Sequence, residues 1–110
     1  MSALHKDITQ GRWDQMPFVE QMANIGSEVE RALNWRKKQN MDYTRKAFER
    51  ALELIDLSLG AARNLSRLKE LARVRETMVD YFFGTNEFVS TEASLQKYFL
   101  HFIYAARKDY

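Results

Sequence analysis

The chain has 110 residues, the size of one domain, and a hydrophobic fraction of 45%, far from that of a disordered polymer. It contains no cysteine, which excludes a disulfide framework and a cysteine-ligated zinc site and suits a reducing cytoplasm. One proline and four glycines leave little material for the turns of a β-sandwich, and the net charge is only +2.

Residues 1–13 show no apolar core of a secretory signal and read as a flexible N-terminal arm that includes His5. The first predicted helix spans about 15–38. Phe18, Met22, Ile25, Val29 and Ala32 follow a 4-3-4-3 spacing along one face, and Pro17 suits a first helical turn. The cluster Arg36-Lys37-Lys38 matches the negative end of the helix dipole. Gly26 lies inside this helix at a cost of about 1 kcal/mol relative to alanine, which implies close approach of another helix.

A second helix is expected over about 42–59, with Met41, Phe48, Ala51, Leu52, Ile55 and Leu59 on one side. Asn40 or Asp42 can cap its start and Gly60 can end it. A third, about 64–83, presents Leu68, Leu71, Met78, Val79 and Phe82 and stops at Gly84. "GTNEFVST" reads as a connection in which Ser90 or Thr91 caps a fourth helix over about 91–108. That last helix carries Leu95, Tyr98, Phe99, Phe102, Ile103 and Ala106.

Four amphipathic helices with short links predict an all-α, up-down four-helix bundle formed by residues 1–110 as a single domain. Its expected core is Phe18, Met22, Ile25, Val29, Phe48, Leu52, Ile55, Leu68, Leu71, Met78, Phe82, Leu95, Phe99 and Phe102. The apolar face of the fourth helix is wider than one neighbour covers, which predicts a homo-oligomer with Tyr98, Ile103 or Tyr104 at the contact. "YFLHFIYAA" is about half the length that spans a bilayer, so no membrane partner is expected and the protein reads as soluble and cytoplasmic.

Charge is unevenly spread. Six basic residues against Asp42 lie between Arg31 and Lys46, and five against Glu70 between Arg63 and Arg75. Glu49, Glu53 and Asp56 form an acidic stripe between them. Such basic segments can hold phosphates, although a solvated helix face uses the same residues. The nucleic-acid candidates are Arg36, Lys37, Lys38, Arg63, Arg67 and Arg73.

Catalytic templates are missing: there is no glycine-rich phosphate loop, serine elbow, paired histidine or Glu-x-x-His pair. His101 falls at the edge of the fourth helix beside Lys97 and Lys108. No metal and no cofactor are expected. One charged residue breaks the pattern, because Arg75 projects among Leu68, Leu71, Val79 and Phe82 at 100 degrees per residue. An unpaired charge there is too costly to keep, so Arg75 is expected to be buried in an ion pair. Glu28 is the first choice of partner and Asp56 the second, with help from the Tyr98 hydroxyl.

"RVRETMVDYFF", residues 73–83, resembles the signature of the HEPN helical-bundle family, where an arginine is followed after four to six residues by a histidine. The resemblance implies a metal-independent ribonuclease site at a dimer interface, with Arg75, Asp80 and Tyr81 in the matching positions. Asp80 stands where the family has histidine, and an ionised carboxylate cannot donate a proton to a leaving group near neutral pH. "NIGSEVERA" and "STEASLQKYFLHFIYAAR" are similar to patterns of the four-helix proteins encoded in ribosomal-RNA intervening sequences, but in the opposite mutual order. The residues therefore favour a non-enzymatic interaction module that contacts RNA or an acidic, nucleic-acid-associated protein. A divergent ribonuclease and a purely structural scaffold are the alternatives.

Overall fold

In a computed structural model, residues 9–108 are described, and 82% of them are helical with no strand among them. Five helices follow in chain order: α1 (Gln10–Asp14), α2 (Phe18–Lys37), α3 (Met41–Ala61), α4 (Leu65–Phe83) and α5 (Glu92–Lys108). The four long ones lie within a few residues of the spans expected from periodicity.

The caps explain these boundaries. Asn40 Oδ1 accepts from Tyr43 N at 3.0 Å, and Asn64 Oδ1 from Arg67 N at 2.9 Å, each closing a free first-turn amide. At α5, Thr91 Oγ1 accepts from Ser94 N while Ser94 Oγ accepts from Thr91 N, a reciprocal pair. Helix α2 ends in a six-to-one turn: Asn40 N donates to Trp35 O and Gln39 N to Arg36 O, with Gln39 at φ 61°. Here a glutamine occupies the left-handed position that glycine usually fills.

The core forms where α2 lies between α3 and α5. Met22, Ile25, Val29, Ala32 and Leu33 from α2 meet Ala47, Ala51, Leu54 and Ile55 from α3 and Leu95 and Phe99 from α5. Gly26 has the packing reason its position implied. A Cβ there would stand 2.8 Å from Phe99 Cβ, so only glycine lets α5 approach this closely. Lys37 Nζ to Glu92 at 2.6 Å joins the end of α2 to the start of α5. Edge-to-face contact of Phe18 with Phe102 joins their other ends.

Four expectations are corrected. The arm assigned to residues 1–13 is, from Thr9 onward, part of the fold; residues 1–8, with His5, lie outside the described residues. Trp13 is 1% exposed, and its indole N–H donates to Ser58 Oγ at 2.8 Å inside the core. Gly60 does not end α3: it leaves room for Gln10, whose Oε1 would lie 2.7 Å from a Cβ at that position. Leu68 is exposed, and Phe18, Leu52 and Phe102 are only half-buried. The buried face of α3 turns toward Leu54 and Ser58 because α1 covers it from a direction the four-helix reading omits.

Among the described residues no helix is long and apolar enough to cross a membrane.

Candidate nucleic-acid interface

The residues matching the HEPN pattern sit close in sequence but serve separate contacts. Arg75 Nε donates to Asp56 Oδ1 at 3.0 Å across the α3–α4 seam. The pair is not buried, since 40% of the arginine side chain and 55% of the aspartate remain exposed. Glu28, the expected partner, lies instead 3.7 Å from Arg31 one turn along α2. Arg75 is turned to the α3–α4 seam, where its partner Asp56 is itself exposed, so the pair stays in contact with water. Nor does Tyr98 assist it: the phenol donates to Glu70 Oε2 at 2.7 Å. Burial, and then this hydrogen bond, hold the Tyr98 phenol far above its ordinary pKa.

Asp80 organises the loop that follows α4. Its two carboxylate oxygens accept from Glu87 N at 2.7 Å and Phe88 N at 3.0 Å, and its carbonyl accepts from Gly84 N and Asn86 N. Asn86 closes the loop by exchanging two hydrogen bonds with Ser90. Within this frame Val89 adopts φ 53° and is 79% exposed, a strained conformation for a β-branched residue. Tyr81 faces another way, with the Arg36 guanidinium 4.5 Å from its ring centre.

The six basic candidates do not make one surface. Arg67 lies over Phe18 at the start of α2, and Arg63 follows the end of α3, near the same end of the fold. Arg36, Lys37 and Lys38 are at the other end of α2, about 30 Å away along a helix of 20 residues. Arg73 stands between them, near the Phe88 ring and on the rim of an α4–α5 cleft. The helices that carry these residues run in opposing directions, so clusters close in sequence separate in space.

What gathers instead is a basic and aromatic end made by the turn from α2 to α3 and the last turn of α4. Arg36 covers Tyr81, Lys38 covers Trp35, Lys46 covers Tyr43 and Arg45 covers Phe83, with charge-to-ring distances of 4.5, 5.0, 5.3 and 4.7 Å. None of these four cations is in an ion pair with another described residue. Lys37 differs: its hydrogen bond to Glu92, more than the accompanying attraction, raises its pKa and ties it to α5. Arg45, Lys46, Trp35 and Tyr43 are additions to the sequence-based set. Their signal in the sequence is the set of rings interleaved with the six cations of residues 31–46.

His101 is exposed beside Phe102, and among the described residues no group of three His, Cys, Asp or Glu side chains is placed to hold a metal ion. Compared with protein-family models, with curated proteins and with solved structures, the chain finds no match.

Proposed function

We propose that the protein is a non-enzymatic, all-α interaction module that binds RNA through this basic and aromatic end. The observation that carries the reading is the set Arg36, Lys38, Arg45 and Lys46, four cations resting on rings rather than on carboxylates. A guanidinium stacked face-on keeps its edge N–H groups free for phosphate oxygens, and an unpaired ammonium exchanges water for phosphate without breaking a salt bridge. Binding of this kind releases counterions, which gives affinity that falls steeply with salt.

In this reading the four long helices form an up-down bundle in a cytoplasmic protein, with α1 as a strap over α3. Self-association uses the outer face of α5, where Leu100 and Tyr104 are 61% and 70% exposed beside half-buried Ile103. Tyr98, expected at that contact, is occupied by Glu70 within the protomer and is left out of it. The ribonuclease alternative gains no support, because Arg75, Asp80 and Tyr81 each have a separate partner.

The test is fluorescence anisotropy with a labelled single-stranded RNA of about 12 nucleotides, at salt concentrations from about 50 to 200 mM. The wild-type protein binds with a steep inverse salt dependence. Changing Arg36, Lys38, Arg45 and Lys46 together to Gln weakens binding and flattens the slope by about 0.7 for each phosphate no longer neutralised. Absence of binding at the lowest salt overturns the proposal.

A further inference from the structure

The basic end also holds a groove of about 470 Å³ along the α2–α3 seam. Arg31 and Trp35, four residues apart, form the α2 wall, and Tyr43, Lys46 and Arg50 form the α3 wall. Its volume lies within the range of small-ligand sites. Two aromatic rings and three cations thus share one concavity.

The two rings meet edge to face, with centres 4.6 Å apart and planes at 76°. In that geometry the ring contributing its edge keeps both faces clear of its partner. The charges over them are lysine termini on flexible stems, Lys38 above Trp35 and Lys46 above Tyr43, which a flat ligand can displace toward its own phosphate. On the α3 wall Arg50 Nε is buried without a hydrogen-bond partner, an uncommon state for an arginine donor. No described carboxylate pairs with Lys46 or Arg50, and the contact of Arg31 with Glu28 is a loose 3.7 Å.

An acidic peptide would use the cations and leave the rings idle. A nucleotide uses both, because its base has a π-face and its phosphate takes the donors. We infer that this groove holds one unpaired nucleotide of single-stranded RNA, with the base against Trp35 and Tyr43 and the adjoining phosphate on Lys46 and Arg50. The inference rests on the RNA-binding reading above and adds to it a selectivity for unpaired strands. A duplex keeps its bases stacked on one another and can offer the groove only phosphates.

The two tryptophans make the test direct. Trp13 is sealed in the core while Trp35 borders the groove, so quenching of fluorescence by added RNA reports Trp35. The full chain is titrated with oligouridylate of about 12 nucleotides and with an RNA duplex of equal length. The single strand quenches the emission and binds more tightly than the duplex. Trp35→Leu abolishes the quenching and weakens single-strand binding about ten-fold with an unchanged salt slope, since it removes a stacking surface and no cation. Trp35→Phe retains most of the affinity. Arg50→Gln weakens binding and lowers the slope by about 0.7.

Wild-type affinity in Trp35→Leu, or equal binding of duplex and single strand, overturns the inference. Should Trp35→Leu lose its helical spectrum, Tyr43→Leu, at an exposed position, carries the same test. The two levels separate cleanly. If the wild type binds no RNA at low salt, the basic-end reading fails and the groove with it. If it binds, and the fourfold Gln variant loses binding while Trp35→Leu does not, the groove alone fails.

Discussion

Helix α2 is packed closely along both flanks, against α3 on one side and α5 on the other, whereas the α4 backbone comes near α3 and stands off from α5, which it meets through side chains. The first region closes through small residues: Gly26, Ala32, Ala47 and Ala51 are all buried and let the helix axes approach. The second keeps a cleft between Val74 and Met78 on α4 and Leu95 and Phe99 on α5, spanned by the Tyr98–Glu70 hydrogen bond. Leu68, Val79 and Phe83 on α4 stay partly in water. A helix held by dispersion on two sides depends on shape; one held on one side depends more on polar tethers.

The sharpest way to break this comparison is truncation. Phe99→Ala removes a ring that is 2% exposed and abuts Gly26, and should cost about 3–5 kcal/mol in denaturant unfolding. Leu68→Ala, on the open side of α4, should cost less than about 1 kcal/mol. Equal losses would show that the two regions are packed alike.

Filling the tight seam is the next largest effect. Gly26→Ala gains about 1 kcal/mol of helix propensity but drives a methyl group into Phe99, where overpacking costs about 1–3 kcal/mol. The net result should be a lower melting temperature. A rise would mean that α5 can back away freely.

Tyr98→Phe probes the tether and should cost about 1–2 kcal/mol at neutral pH. Its pH dependence has a definite sign. Burial and the Glu70 hydrogen bond raise the folded-state pKa of the phenol, so its stabilising share is fully present below the unfolded value of about 10. That share is lost as pH rises above about 10, because the unfolded chain ionises there and the folded one does not. Unfolding free energies measured from about pH 8 to 11 should therefore fall more steeply in the wild type than in Tyr98→Phe.

The smallest effect belongs to Arg75. With 40% of its side chain in water and an exposed partner, Arg75→Ala should cost less than about 1 kcal/mol. A double-mutant cycle with Asp56→Ala measures the pair directly. A coupling of several kcal/mol would show that this surface bridge, rather than apolar packing, holds α4 in place.

Much of the fold is legible in the sequence because period and caps are local properties. The long helices, the caps at Asn40 and Thr91, and the reason for Gly26 can all be read from neighbouring residues. Trp13 cannot, since a five-residue helix has too few turns for periodicity and its burial depends on Ser58, 45 residues away. Arg75 is an ion-pair residue, as its apolar setting in the sequence implies, but it is not a buried one. Helical projection gives the direction of a side chain but not the distance to the neighbour that would cover it.

The candidate site divides in the same way. The order of amino acids suffices to establish that the chain is helical, where its cations lie, and that rings are interleaved with them between residues 31 and 46. Which cations lie together is set by packing. Helix pairing sends Arg63 and Arg67 to one end and draws Lys37 to Glu92. It also brings Trp35 on α2 against Tyr43 on α3, with Arg50 lining the same groove. Periodicity sets each residue's angle about its own helix, but only packing sets the register between helices, and a groove exists only in that register.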